Sequence, residues 1–351
     1  MKPFTVAVIM KNEEKHIGNF LDAISNHFSG CEYDVVINDT GSTDKSVDIA
    51  VSHGARVIHS EWCDDFSFSR NYAADNATYD TIIALDCDEY VTSFDVEAAL
   101  PPNKEYIGRL NILNHFIGSE NGDTYTTVLP RIYDRRFSKF EGKIHEQIVS
   151  KNGAPPKYYA ASLSVEHFGY YGTPEELYEK TAKYERLLLK EFEKNPNDPY
   201  ICFQLGQNYN MMRDSEKAVE YYEKGMSLNP NPSLEYVKMM ITSLGYNLIR
   251  LEKGEEAAKL DVWFEQLRDD SDYLCMLGLA YLRSGKVMEA MQSFLGALSG
   301  KRSNTAGTST YIPLYNMGVI NEVLGNREDA ITLYKKCGNY KPALERIKEL
   351  S

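Results

Sequence analysis

The first hundred residues alternate between two rhythms of apolar and polar positions. Phe4–Met10 is an apolar run of strand length, and Asn12–Phe28 follows with Ile17, Phe20, Leu21 and Ile24 on one helical face. Val35-Val36-Ile37 predicts a second strand. It closes in Asn38-Asp39-Thr40-Gly41-Ser42-Thr43-Asp44, a turn-rich cluster that can also cap a helix from Lys45 to His53. Arg56–His59 predicts a third strand, Ser67–Ala77 a helix and Thr81–Leu85 a fourth strand. Strand–helix alternation of this kind implies a mainly parallel sheet with helices on both faces. No G-x-G-x-x-G and no G-x-x-x-x-G-K-[ST] occurs, so a dinucleotide fold and a P-loop are both disfavoured.

Between residues 100 and 170 the pattern changes to strand-like alternation, at Tyr106–Leu113, Tyr125–Tyr133, Phe140–Val149 and Ala161–Phe168. A smaller, partly antiparallel sheet that completes a cleft is expected there. From about residue 173 the period is helical and a repeat of about 34 residues emerges, with small and large residues at tetratricopeptide offsets. One copy places Leu205-Gly206, Tyr209, Ala218, Tyr222 and Pro230. Another places Leu277-Gly278, Tyr281, Ala290, Phe294 and Ala297, and a third places Gly318, Ala330, Tyr334 and Pro342. A degenerate copy containing Gly245, Gly254 and Ala257 fits between the first two. Such helix pairs stack into a superhelix with a concave surface, suited to a peptide or protein. A rigid scaffold, or a surface that builds a homodimer, is the alternative use.

The chain has 351 residues, 43% hydrophobic and 25% charged, which is ordinary globular composition with room for two cores. The expected division is 1–172 and 173–351. A formal net charge of −13 argues against a general nucleic-acid or anionic-membrane binder. The six cysteines are scattered with no C-x-x-C pair, so no zinc site follows, and free thiols in a reducing cytoplasm are the plainer reading. The amino-terminal apolar run is too short for a membrane span and lacks a cleavage-like end.

The candidate chemistry starts at Asp86-Cys87-Asp88-Glu89, directly after the fourth strand. Open α/β sheets receive ligands at the carboxyl ends of their strands. Packed carboxylates there repel unless a cation sits among them, and Mg²⁺ or Mn²⁺ brings a phosphate-bearing substrate. Read by itself the segment is equally an acidic turn with a helix cap. Asp39 ends the second strand and could accept from a base or ribose, or serve the turn alone. Asn12, with Glu13 and Glu14, follows the first strand at the same cleft. Arg70 opens the third helix and matches phosphate geometry, or pairs with Asp64 or Asp65. Glu141-Gly142-Lys143-Ile144-His145-Glu146 is not a zincin motif, because position 149 is Val149. His145 could be a metal ligand or acid/base group and Glu146 a base. For His167 a core or domain-contact role is the preferred reading.

Together these segments resemble glycosyltransferase family 2, the inverting enzymes of the GT-A fold. The resemblance is carried by Val8–Glu14, Asn38–Asp44, Asp65-Phe66-Ser67 with Arg70-Asn71, and Leu85–Glu89, in order and spacing, and covers residues 4 to about 170. It is strongest to the branch with tetratricopeptide repeats after the transferase domain, where Ile144-His145-Glu146 and His167-Phe168-Gly169-Tyr170 also fit. That branch includes peptide S-glycosyltransferases of glycopeptide bacteriocins and transferases associated with flagellin and other surface glycans. The resemblance implies a UDP-linked sugar donor, Mn²⁺ or Mg²⁺, and transfer of a hexose or N-acetylhexosamine. It assigns Asn12, Asp39, Arg70 and Asp86 to the donor, with Asp39 at uracil or ribose, Arg70 near the diphosphate and Asp86 at the ribose. Asp88 becomes the metal ligand, and His145 a further one. The family's acceptor-side Glu-Asp pair is missing, since Glu141 is followed by Gly142. Glu146 is the candidate base, with Asp134 behind it. A peptide or protein acceptor is expected. A glycan or lipid-linked acceptor, or a non-catalytic binding module, are the alternatives.

Overall fold

The computed structural model describes residues 2–115, 124–169 and 174–351. They fall into two compact units that divide near residue 171.

The first unit is built on one eight-stranded sheet. Its opening half follows the strand–helix alternation: β1 (Phe4–Met10), α1 (Ile17–His27), β2 (Tyr33–Asp39), α2 (Ser46–Ser52), β3 (Arg56–His59), α3 (Phe66–Asp75) and β4 (Thr81–Asp86). The rest is β5 (Glu89–Phe94), α4 (Val96–Ala99), β6 (Tyr106–His115), β7 (Thr124–Asp134), β8 (Ser138–Glu141), β9 (Gln147–Ser150) and β10 (Lys157–His167). The sheet order is β3-β2-β1-β4-β7-β6-β10-β5, and β8 pairs with β9 separately. β1 lies parallel between β2 and β4, whereas β7 runs antiparallel to both β4 and β6.

Two apolar faces hold this sheet. α1 buries Ile17, Phe20, Leu21 and Ile24 against Phe4, Val6, Val8 and Leu85 on one side. On the other side α3 brings Ala73 and Ala74 against Ala7, Val36, Ile82, Ala84, Tyr133 and Phe140. The small residues let α3 sit close, and they carry Arg70 into the same buried face. Asp65 caps this helix, its Oδ1 accepting from the Phe68 backbone N–H at 2.9 Å.

Only Cys87 and Asp88 separate β4 from β5, yet β7, β6 and β10 stand between them in the sheet. Four strand spacings in a flat sheet are about 19 Å, while three residues of extended chain reach at most about 11 Å. The sheet must therefore curl, and the curl brings the end of β10 to the turn after β4. Glu89 pairs with His167 at this edge.

Two expectations change here. β5 was not anticipated, because Glu89–Phe94 carries no sustained apolar period. Phe140–Val149 is not one strand but the hairpin β8–β9, whose register pairs Phe140 with Ile148 and Glu141 with Gln147. Gly142 and His145 have positive φ, 103° and 52°, and turn the chain between the two strands.

The second unit is helical throughout. After α5 (Pro174–Lys194) it runs α6 (Pro199–Met211), α7 (Ser215–Ser227), α8 (Glu235–Arg250), α9 (Gly254–Ala258), a 3₁₀ turn at Lys259–Trp263 and α10 (Phe264–Leu267). It continues as α11 (Ser271–Arg283), α12 (Val287–Leu298), α13 (Tyr311–Val323), α14 (Arg327–Lys336) and α15 (Lys341–Leu350). The repeat has a single packing device. In three pairs a glycine of the first helix lies under a buried ring of the second: Gly206 under Tyr222, Gly278 under Phe294 and Gly318 under Tyr334. The degenerate copy lacks the ring. Gly245 packs against Met276 instead, and its second helix breaks into α9, the 3₁₀ turn and α10. No helix among the described residues is long and apolar enough to cross a membrane.

Candidate active site

The strand registers place the carboxyl ends of β1, β2 and β4 on one rim. Met10 is level with Asp39, and Ile9 with Asp86. Asp39 and Asp86 thus flank β1 two strand spacings apart, roughly 10 Å. This is the rim that receives ligands in open parallel sheets.

On the β2 side the polar groups shape loops. Asp39 is 4% exposed, and its carboxylate accepts from the Gly41 N–H at 3.3 Å and the Ser42 N–H at 3.1 Å, with His59 Nδ1 at 3.3 Å. Asn12 adopts φ 55°, and its Oδ1 accepts from the Thr43 N–H at 2.8 Å while its own N–H donates to Ser42 Oγ at 2.9 Å. Asn12 therefore ties the loop after β1 to the loop after β2, and Asp39 shapes the latter from within.

On the β4 side Asp86 is gripped by two guanidiniums. Arg70 Nη2 donates to Oδ1 at 2.9 Å and Oδ2 at 3.2 Å, and Arg131 Nη2 reaches Oδ2 at 3.2 Å. Burial alone would raise the Asp86 pKa, but Arg70 and Arg131 outweigh it and hold the carboxyl well below the usual range. Asp86 keeps 29% of its side chain exposed at the rim. Glu89 lies behind it, accepting from the Asp86 N–H at 2.9 Å and from Arg131 Nη2 at 3.0 Å. Burial and the nearby Asp86 raise Glu89 against the pull of Arg131.

Arg70 is 7% exposed and does not lie open to a diphosphate. Its Nη2 serves Asp86 and its Nε makes a close ion pair with Glu146 Oε1. Its ring-side contact is Phe140, 5.4 Å from the guanidinium carbon to the centroid. The hairpin loop between β8 and β9 thus delivers Glu146 to the Arg70–Asp86 pair.

Asp88 meets His167. Asp88 Oδ2 lies 3.5 Å from His167 Nε2, and His167 Nδ1 lies 2.9 Å from Asn114 Oδ1. The Asn114 amide nitrogen donates to Tyr125 O and Thr127 Oγ1, so its oxygen faces His167 and accepts the Nδ1 proton. Nε2 is the nitrogen turned to Asp88, carrying a proton toward the carboxylate in the imidazolium and a lone pair in the neutral ring. The backbone of Gly169 runs against both groups, and a Cβ there would overlap His167 Nε2 and Asp88 Oδ2. Tyr170 lies outside the described residues.

A carboxylate oxygen and a neutral imidazole nitrogen are a donor pair that Mn²⁺ accepts. No group of three or more His, Cys, Asp or Glu side chains gathers to hold an ion among the described residues. A divalent ion held by Asp88 and His167 would draw its other ligands from phosphate and water, which is usual for such ions.

Two sequence assignments are displaced. His145 was paired with Asp88 in the expected metal set. The structure instead turns His167 to Asp88, and His145 does not join them as a third ligand. His145 sits in the β8–β9 loop, where burial pushes its imidazole down to about 4 against the opposing charge of Glu146. Asp134, the second candidate base, pairs with Thr81 at the amino end of β4, five residues from Asp86. That is roughly 16 Å along the strand. Its carboxylate is taken by Arg136, at 2.9 Å from Nε and 2.6 Å from Nη2.

Arg131 and His167 were missed as site residues. Arg131 had a local signal. It stands two positions before Tyr133, so strand alternation puts it on the face that Tyr133 buries. His167 had one in the segment His167-Phe168-Gly169-Tyr170, which fits the branch with tetratricopeptide repeats, but a core or domain-contact role was preferred for it.

Residues 5–152 match Glycosyl transferase family 2, and residues 199–232 match Tetratricopeptide repeat. The chain is 24% identical over 299 residues to the SPbeta prophage-derived glycosyltransferase SunS of Bacillus subtilis, covering 84% of this chain and 69% of the relative. It is 25% identical to a TPR repeat-containing protein of Synechococcus elongatus, covering 79% and 69%. Among solved structures, MamA from Desulfovibrio magneticus aligns with 48% of this chain and 86% of its own, at 17% identity and a TM-score of 0.39. Glucosyl-3-phosphoglycerate synthase from Mycobacterium tuberculosis aligns with 34% and 45%, at 19% identity and a TM-score of 0.26. The chain carries a glycosyltransferase family 2 domain followed by tetratricopeptide repeats.

Proposed function

We propose that this glycosyltransferase moves a sugar from a UDP-sugar donor to a peptide or protein acceptor, with inversion at the anomeric carbon. The observation that carries the reading is the turn after β4. Asp86 is gripped by two arginines on one side of Cys87, and Asp88 faces His167 on the other, at the ligand-receiving rim of the sheet.

In this reading Asn12 and Asp39 form the nucleoside end of the crevice, and Asp86 meets the ribose. Asp88 and His167 would hold Mn²⁺ or Mg²⁺, which when bound neutralises charge on the diphosphate. Arg70 acts through its two carboxylates, aligning Asp86 and Glu146. The acceptor atom attacks the anomeric carbon, and Glu146 takes its proton as the new bond forms and the bond to the diphosphate oxygen breaks. Glu146 Oε1 faces Arg70, so Oε2 is the oxygen assigned to the proton. One displacement without a covalent intermediate inverts the centre, through an oxocarbenium-like transition state.

The peptide or protein acceptor is supported by the repeats, which offer an extended surface, and by the relationship to glycosyltransferase SunS across both halves of the chain. Thermal denaturation with UDP-glucose, UDP-N-acetylglucosamine and other nucleotide sugars, with and without Mn²⁺, tests the donor, because a specific ligand raises apparent stability by mass action. UDP release is then followed with and without candidate peptides. Peptide-dependent release supports the acceptor assignment. Release that responds only to saccharides replaces it with a glycan acceptor. No stabilisation by any nucleotide sugar overturns the reading.

A further inference from the structure

Arg131 and Glu89 have no part in the chemistry above, and neither faces the open rim, with side chains 11% and 3% exposed. Both nevertheless fix Asp86. Glu89 Oε2 accepts from the Asp86 N–H at 2.9 Å, and Glu89 Oε1 accepts from Arg131 Nη2 at 3.0 Å. The same Nη2 reaches Asp86 Oδ2 at 3.2 Å. Beyond Asp86 the contacts continue through Arg70 to Glu146. The charges alternate along the line Glu89, Arg131, Asp86, Arg70, Glu146. That line runs from the start of β5 across β7 and β4 to α3 and the β8–β9 loop.

The alternation explains why three carboxylates can stay so close. Left to themselves they would repel, and each guanidinium separates two of them. Arg70 gives each carboxylate its own nitrogen, Nε to Glu146 and Nη2 to Asp86, while at Arg131 the single Nη2 lies between Glu89 and Asp86, held there by a planar guanidinium that lysine lacks. Arg70 alone would leave the Asp86 carboxylate able to swing toward α3. Arg131 pulls Oδ2 from the opposite side, and Glu89 keeps Arg131 in place.

We infer that Arg131 is a positioning residue for the sugar donor: backed by Glu89, it sets the direction of the Asp86 carboxylate and so the affinity for the nucleotide. The inference rests on the reading of Asp86 as a donor contact. Arg131 itself touches no substrate.

Two variants test it. Arg131→Lys keeps the charge and loses the planar guanidinium that sets Nη2 between Glu89 and Asp86. The double variant Glu89→Gln with Arg131→Gln removes one charge of each sign, so neither partner is left buried and unpaired. Folding of each is checked by thermal midpoint. The expected result is a donor KM raised about tenfold, with kcat within about threefold of wild type, the signature of lost uniform binding. The Kd for UDP, measured by titration calorimetry, rises by a similar factor. A purely structural role would lower the folded fraction, and with it apparent kcat, while leaving donor KM unchanged. A folded variant with the wild-type donor KM overturns the inference alone. Absence of nucleotide-sugar binding by the wild-type chain overturns the functional reading and the inference with it.

Discussion

His167 turns Nε2 toward Asp88 Oδ2 at 3.5 Å, and Asn114 holds it in that pose by accepting from Nδ1 at 2.9 Å. The two residues lie far apart in sequence and meet because the sheet curls between β4 and β5. In its neutral form a histidine with one nitrogen fixed by a hydrogen bond presents the other as a directed lone pair, the arrangement by which outer groups orient metal ligands.

Loss of that lone pair is expected to show in metal affinity. His167→Ala should raise the Mn²⁺ concentration needed for half-maximal turnover by about 10–100-fold, and Asn114→Leu by about tenfold, since groups that orient a ligand carry effects of this size. Asp88→Ala should abolish metal-dependent turnover. His145→Gln should leave the Mn²⁺ titration where it is in the wild type. A Mn²⁺ titration of UDP release in stripped buffer reads all four. An unchanged midpoint in His167→Ala would remove His167 from the metal site.

The two candidate bases separate cleanly. Glu146 is bound to Arg70 beside Asp86, while Asp134 is bound to Arg136 at the other end of β4. Glu146→Gln is expected to lower kcat by about 10²–10⁴ with donor Kd little changed, the range for a lost general base. Asp134→Asn should leave kcat near wild type. Its stability should fall by about 1–3 kcal/mol, because the Asp134 carboxylate is 5% exposed and accepts the Arg136 backbone N–H at 3.0 Å as well as its guanidinium. A fully active Glu146→Gln would return the proton to another group.

How much of this was legible in the chain depends on the distance between partners. β1, β2 and β4 could be read because each is an apolar run ending in polar residues, and the end-of-strand rule then put Asp39 and Asp86 on one rim. The repeats were legible because Gly206, Gly278 and Gly318 recur at one fixed spacing from their rings. Arg131, Asn114 and His167 were not read as site residues. Their partnerships arise from strand order and sheet curl, which periodicity does not encode. The β8–β9 loop was hidden for a different reason: Phe140, Ile144 and Ile148 keep apolar residues on even positions through the turn, and the break rests on the backbone angles of Gly142 and His145.

The repeat glycines make their own prediction. A Cβ on Gly278 would stand 2.6 Å from the ring of Phe294, which is fully buried. Gly278→Ala should destabilise the helical unit by about 1–3 kcal/mol, the cost of forcing atoms into a packed core. Gly278→Ala with Phe294→Leu should recover part of the loss by returning space. Urea denaturation followed by circular dichroism measures both, and UDP affinity should stay at the wild-type value. Equal stability of Gly278→Ala and wild type would contradict the glycine–ring account of the repeat.

The loop histidine predicts how acid acts on folding. Burial pushes His145 from the ordinary 6.5 down to about 4, with Glu146 opposing the shift. Between these values the unfolded chain binds a proton at this site and the folded chain does not, so stability rises with pH across the window. The contribution is complete above about 6.5 and is lost as pH falls toward 4. Glu89, raised by burial, titrates in the opposite sense over part of the same range, so the effect of His145 must be read as a difference. His145→Gln removes the titrating group and keeps a polar side chain. The wild type should lose more stability than this variant between pH 6.5 and 4.5, by on the order of 1–3 kcal/mol. Urea denaturation of both proteins at the two pH values measures the difference, and parallel losses would show that the imidazole ionises as freely in the folded loop as in the unfolded chain.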